Sequence, residues 1–144
     1  MKASKFFFFT TTLLVLVFNS CDKTDNSQDP SGSTATEIVK LGTWKITFFN
    51  DSGNDETSHF SGYSFTFNAD GSVKAVKNTS TVTGTWNTGT DDSQNKFNLD
   101  FGSTTPFDEL NEDWDILEKS ALKIRLQHIS GGNGGTDLLT FEKN

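Results

Sequence analysis

The chain has 144 residues, which is enough for one domain of ordinary size. It carries 12 Lys and Arg against 19 Asp and Glu, a formal net charge of −7, so it lacks the basic footprint that nucleic-acid binding requires. A single Cys excludes an intramolecular disulfide and a Cys-rich zinc site. Its 14 Phe and 12 Gly with only 2 Pro are typical of a β protein with many turns.

Residues 1–20 have the organisation of a secretory signal peptide. Lys2 and Lys5 form a short positive region, and the apolar runs 6–9 and 13–18 follow it. This segment is too short to span a bilayer, which takes about 20 residues.

The signal ends directly before Cys21, the only cysteine, in a pattern that resembles a bacterial lipobox. The resemblance implies that residues 1–20 are removed and that Cys21 carries the acyl chains, palmitate among them, that anchor the protein. The alternative is an ordinary secretory signal that leaves Cys21 as a free thiol.

Residues 21–36 are predicted to be a flexible tether, because 22–36 contain no aromatic or branched aliphatic residue. The charged residues Asp22, Lys23 and Asp25 resemble the acidic export tags on surface lipoproteins of Bacteroidota-type bacteria. That resemblance implies a lipid-anchored protein of the bacterial outer membrane. Loss of the signal leaves 10 basic and 19 acidic residues, so an acyl anchor and not a basic patch would hold the chain to the membrane.

Residues 37–144 are predicted to form one β domain. A helical turn over 37–41 ends at Gly42, and apolar residues then alternate with polar ones at the period of two that indicates strands. The alternation predicts eight strands, whose inward-facing residues are Trp44, Ile46 and Phe48; Tyr63, Phe65 and Phe67; Val73 and Ala75; Val82, Gly84 and Trp86; Phe97, Leu99 and Phe101; Trp114 and Ile116; Leu122, Ile124, Leu126 and His128; and Leu139 and Phe141. In this register Phe49 and Val76 lie on the outer face, where they would begin an apolar patch.

The segments between these strands favour short connections. Residues 67–72 predict a type I turn closed by a left-handed Gly71, and 131–135 predict a glycine-rich hairpin loop. Residues 87–95 are predicted to be a loop, and 106–112 a helical turn with a proline at its start. Because sequential strands with short links pair antiparallel, we predict an all-β fold, an eight-stranded up-and-down barrel without exposed edges.

The sequence Gly42-Thr43-Trp44 after a helical turn resembles the lipocalin signature. Together with 65–71, 84–86 and 139–143, it is similar to the lipocalin-like domain lipoproteins of Bacteroidota-type bacteria. The resemblance covers about residues 41–143. It implies a calycin-like barrel and a small hydrophobic ligand held inside it.

Metal binding and catalysis find little support in the residue pattern. A zinc site could use His59 and His128 with a carboxylate, but one lies in a polar segment and the other ends a strand. Residues 66–77 match only the middle of a calcium loop. The two histidines are predicted to be isolated, no nucleophile has a recognisable partner, and the carboxylates of 108–115 are predicted to be solvated. We therefore expect no enzyme, no metal and no cofactor.

The barrel interior decides between two functions. Ala75 and Gly84 are the small residues that would leave room for a ligand, so the predicted pocket lining is Tyr63, Phe65, Ala75, Gly84, Trp86, Phe97, Leu99 and Ile124. The alternative is a core packed solid by aromatic rings. A pocket would make the protein a monomeric carrier of a small hydrophobic ligand. A solid core would make it an interaction module that meets an envelope protein or a glycan through its loops.

Overall fold

Residues 34–131 and 134–144 are described by a computed structural model. Within these ranges the elements in chain order are α1 (Ala35–Val39), β1 (Trp44–Asp51), β2 (Asn54–Asp55), a 3-10 turn (Thr57–Phe60), β3 (Ser64–Phe67), β4 (Ser72–Lys77), β5 (Ser80–Asp91), β6 (Gln94–Asp100), a second 3-10 turn (Phe107–Leu110), β7 (Asp113–Lys119), β8 (Lys123–Ile129) and β9 (Thr136–Lys143). The predicted signal peptide, the predicted lipidation at Cys21 and the tether before Thr34 lie outside the described residues.

The strands form one antiparallel sheet that closes on itself. The strand order is β2-β1-β3-β4-β5-β6-β7-β8-β9, and β1 also pairs with β9. The two-residue β2 only folds back on the end of β1, so eight long strands close the barrel. The predicted fold class, an eight-stranded antiparallel up-and-down barrel after a short helix, is confirmed. No helix of the described residues is long and apolar enough to cross a membrane.

Helix α1 covers one end of the barrel, which we call the helix end. It begins two residues before the predicted start of the domain, because Thr34 and Glu37 form a capping box: each side chain hydrogen-bonds the backbone N–H of the other. Ile38 and Val39 are buried in the core cluster. The opposite end, which we call the loop end, holds the segments 52–63 and 101–112 with both 3-10 turns. Phe60, Phe107 and Leu110 bury their side chains there.

Aromatic rings fill the space between the two ends. The ring of Phe67 makes edge contacts with Trp86 at 5.5 Å and with Phe97 and Phe141 at 5.6 Å between centroids. The ring of Phe65 contacts Phe141 in the same way at 5.4 Å. Such contacts stabilise beyond the area they bury.

The first strand departs from the predicted alternation. Its pairing with β9 carries a bulge between Ile46 and Phe48, and the extra residue shifts the side-chain register by one position. Phe49 is therefore buried, with 1% of its surface exposed, whereas Phe48 is 39% exposed. The predicted inward Phe48 and outward Phe49 are both wrong, while the predicted outward position of Val76 is confirmed.

Two further predictions differ from the structure. The predicted inward position of Leu122 is wrong, because β8 begins one residue later and Leu122 is exposed in the turn before it. Residues 87–95 are not a loop, because β5 continues to Asp91 and β6 begins at Gln94. Asp92 and Ser93 form the two-residue turn, both with positive φ, the conformation favoured in tight hairpins.

The predicted turn at Gly71 and the predicted helical turn after Pro106 are both found. The N–H of Gly71, at φ 82°, donates to the carbonyl of Asn68 at 3.1 Å. The carboxylate of Asp70 accepts from the N–H and hydroxyl of Ser72, and these hydrogen bonds lower its pKa. The helical turn is the second 3-10 segment, Phe107–Leu110.

Candidate functional site

The predicted pocket residues lie in the packed core. Of the eight, six belong to the buried cluster: Phe65, Ala75, Trp86, Phe97, Leu99 and Ile124. The rings of Trp86 and Phe97 stack at 5.7 Å, and the half-buried Tyr63 packs edge-on against Phe107 at 5.0 Å.

The room predicted at Gly84 is occupied by a neighbouring ring. A Cβ atom added there would lie 2.7 Å from Cδ1 of Phe101 and 2.4 Å from the carbonyl oxygen of Asp100. Gly84 is therefore the position at which the chain lets the Phe101 ring reach the backbone of β5.

A cleft of about 290 Å³ opens at the helix end. The start of α1, the β5–β6 hairpin and β7 form its walls, and the residues that line it are Thr34, Ala35, Thr36, Thr88, Gly89, Thr90, Asn95, Lys96, Ile116 and Lys119. None of the eight predicted pocket residues is among them. Alternating threonines along 81–90 are the signal that could have extended β5 into this wall, since threonine favours strands.

The cleft combines hydroxyl groups, apolar surface and positive charge. The hydroxyls of Thr36 and Thr88 hydrogen-bond to each other across it and so join α1 to β5. The Lys96 ammonium lies 2.8 Å from the Asp115 carboxylate, and this hydrogen bond raises the lysine pKa although burial opposes it. Lys96 therefore stays charged at the cleft wall. This set of groups can hold a small molecule by hydrogen bonds and apolar contact.

The two histidines, expected to be isolated, both lie beside carboxylates at the loop end. His59 has the Glu56 carboxylate 3.2 Å from Nε2 and the Glu109 carboxylate 3.3 Å from Nδ1. His128 lies among carboxylates of β7, β9 and the segment before β7. The expectation that the histidines stand alone is wrong.

Two of the carboxylates near His128, those of Glu112 and Asp113, are only partly withdrawn from water. Burial raises the pKa of Glu112, His128 lowers it, and the negative charges of Asp137, Asp113 and Asp51 raise it further. The side chains of Glu112 and Asp113 keep 37% and 57% of their surface exposed. General acid–base catalysis needs groups whose pKa values are tuned in a desolvated site. The partial exposure of Glu112 and Asp113 fits the expected absence of catalysis, which stays a prediction.

No family model and no curated protein matches the sequence. A DUF4847 family protein from Bacteroides vulgatus ATCC 8482 is a similar solved structure, with 19% identity, a TM-score of 0.50, and coverage of 77% of this chain and 98% of that chain. A lipocalin-like protein from Bacteroides uniformis ATCC 8492 has 18% identity, a TM-score of 0.46, and coverage of 73% and 98%. This chain shares its fold with the DUF4847 family protein, and its closed eight-stranded barrel behind a short helix is the architecture that the resemblance in the sequence implied.

Proposed function

We propose that the protein is a lipid-anchored binding protein of the bacterial outer membrane that holds a small molecule in the cleft at the helix end. The observation that carries the binding part is the cleft itself, a concave space of about 290 Å³ beside a ring-filled core. That volume is close to the lower limit of typical small-molecule sites, which start at about 300 Å³. Binding needs no bond change, so the protein acts as a carrier and not as an enzyme.

The walls of the cleft define the chemistry of the ligand. Ala35 and Ile116 offer apolar surface, whereas Thr88, Thr90 and Asn95 offer hydrogen-bonding groups on the other side. The Lys96 ammonium pairs with Asp115 at 2.8 Å and with Asp113 at 3.7 Å, so it favours a ligand carbonyl that accepts a remaining N–H over a ligand anion. The ligand is therefore a small amphipathic molecule, more polar than the purely hydrophobic one that the family resemblance implies.

A bulky residue in the cleft should abolish ligand retention. Thr90 lines the cleft and is exposed, so Thr90→Trp fills the space without removing a core contact. Thr83→Trp is the matched control, because Thr83 is exposed on the same strand outside the cleft lining. We expect native mass spectrometry of the intact protein to show a retained small molecule in the wild type and the control but not in Thr90→Trp. Retention by Thr90→Trp, or a wild type without any bound mass, would reject the proposed site.

The anchor rests on the position of Cys21 directly after the apolar run of the signal. An unpaired thiol is a liability in an exported protein, and acylation would remove it. Two acyl chains provide the membrane affinity that a single chain does not. The acidic mature chain has no basic patch that would do so instead.

Cys21→Ser should move the full chain from the detergent phase to the aqueous phase. The expected shift is nearly complete, because the thiol is the only attachment point for the lipid. Ser20→Ala is the control, since alanine is also accepted directly before a lipobox cysteine. Phase partitioning followed by immunoblotting measures the outcome. A Cys21→Ser protein that stays in the detergent phase would refute the lipid anchor.

A second candidate function is favoured by the filled interior. Large apolar side chains are exposed on the outside of the described residues: Leu41, Phe48, Val76, Leu117, Leu122 and Ile129. They fit an interaction module that meets another envelope component through its surface. A wild type that carries no small molecule in native mass spectrometry would support this candidate over the carrier.

A further inference from the structure

The strongest unassigned feature of the described residues is the group of side chains around His128 at the loop end. His128 in β8 lies directly opposite Asp137 in β9. Asp113 is the first residue of β7, and Glu112 directly precedes it. One ligand atom from each of His128, Glu112 and Asp113 lies within 4.8 Å of the other two.

Asp137 fixes the orientation of the imidazole ring. This carboxylate is buried, and its Oδ1 accepts hydrogen bonds from the N–H and the hydroxyl of Ser52 at 2.8 and 3.1 Å. Its Oδ2 lies 3.3 Å from Nδ1 of His128. Because a carboxylate only accepts hydrogen bonds, Asp137 favours the tautomer with the proton on Nδ1, which leaves Nε2 as the nitrogen that can bind a metal ion. Metal-binding histidines are oriented in this way by a carboxylate behind the ring.

Nε2 of His128 faces two further carboxylates. Nε2 is 3.3 Å from Oε2 of Glu112 and 3.8 Å from Oδ1 of Asp113. Nε2 and two carboxylate oxygens this close together need a proton or a positive charge between them, which is a proton on Nε2 or on Glu112, or a metal ion.

One pair of these atoms has the spacing of a zinc site, and the third atom lies close to it. With zinc–ligand bonds of about 2.0–2.2 Å, two ligand atoms of a tetrahedral site lie about 3.3–3.6 Å apart. The pair formed by His128 and Glu112 already has this separation. The Asp113 side chain is 57% exposed, so an ion can enter from solvent. Its carboxylate also pairs with Lys96 at 3.7 Å and would complete the site after a small shift.

We propose that His128, Glu112 and Asp113 bind a zinc ion, with Asp137 as the residue that positions the histidine. Three protein ligands leave one coordination position for water or for a group of a bound molecule. Imidazole and carboxylate ligands suit Zn²⁺, whereas Mg²⁺ and Ca²⁺ prefer oxygen alone. The site lies at the loop end, away from the cleft, and does not depend on the proposed function.

Isothermal titration with zinc chloride tests the site directly. The full chain is used with Cys21→Ser, because a free thiol would itself bind zinc. We expect one ion per chain, no binding of magnesium chloride at the same concentrations, and loss of zinc binding in His128→Ala. Glu112→Gln, which keeps the size of a half-exposed side chain, should also lose it. Asp137→Asn should weaken binding roughly 10–100-fold, as for other residues behind metal ligands.

His59→Ala is the matched control. His59 also has two carboxylates within 3.3 Å, but they lie on opposite ring nitrogens and do not converge on one point. Its removal should leave the zinc affinity unchanged. Absence of zinc binding in the parent chain would overturn the proposal, because a proton and not a metal ion would then lie between His128 and the two carboxylates. Equal zinc affinity in His128→Ala and Glu112→Gln would overturn it as well.

Discussion

Replacing Trp44 with alanine should lower the free energy of unfolding by about 3–5 kcal/mol, as for other large aromatic truncations in cores. Trp44 is fully buried, and its indole N–H donates to the carbonyl of Val39 at 2.9 Å. This bond ties the helix that covers the barrel end to the first strand. The Lys143 ammonium lies 5.9 Å from the ring centroid and covers its outer side. The truncation therefore opens a cavity and releases the helix at the same time.

Chemical denaturation followed by circular dichroism measures this change. Leu122→Ala is the control, because Leu122 is exposed and its truncation should change stability by about 0.5 kcal/mol or less. Trp44→Phe should fall between the two, since it keeps an aromatic ring and loses the hydrogen bond to Val39. A loss below about 1 kcal/mol for Trp44→Ala would contradict a structural role of this residue.

Adding one methyl group at Gly84 should destabilise the barrel by about 1–3 kcal/mol, the usual cost of overpacking. The new Cβ would overlap the buried ring of Phe101 and the backbone carbonyl of Asp100. That carbonyl cannot move without shifting β6. Gly84→Ala therefore tests whether the interior near this residue is filled, as the structure shows, or holds the pocket that the sequence suggested.

Gly89→Ala provides the matched comparison on the same strand. Nothing lies within 4 Å of a Cβ at Gly89, so alanine should be neutral or stabilise by up to about 1 kcal/mol through reduced chain entropy. Thermal unfolding of both variants gives the two changes side by side. Equal stability of Gly84→Ala and Gly89→Ala would show that there is free space beside Gly84.

The sequence predicted the fold where apolar alternation is unbroken, as at Phe65 and Phe67 or at Ile124 and Leu126. It failed at Phe48 and Phe49, because a bulge depends on how two backbones pair and leaves no mark in composition. The β5–β6 hairpin around Asp92 was missed since its residues are exposed on both faces and therefore show no hydrophobic period.

The candidate sites were harder to predict than the fold. Ser52, Glu112, His128 and Asp137 come from separate strands and connections, and only the barrel topology brings them together. The cleft at the helix end was not predicted, because the β5–β6 hairpin that forms one of its walls was not predicted either. The ligand pocket was predicted beside Gly84 because glycine leaves space, but the ring of Phe101 occupies that space.

The pairing of β1 with β9 has a consequence for how the chain folds. Trp44 in β1 pairs with Lys143 in β9, about 100 residues later, so barrel closure waits for β9. Contacts this distant in sequence carry a large loop-closure cost and slow folding. A chain truncated before Thr136 would not form a smaller barrel. Without β9, β1 and β8 would become sheet edges to which strands of other copies can pair. Interruption of synthesis before β9 therefore favours aggregation.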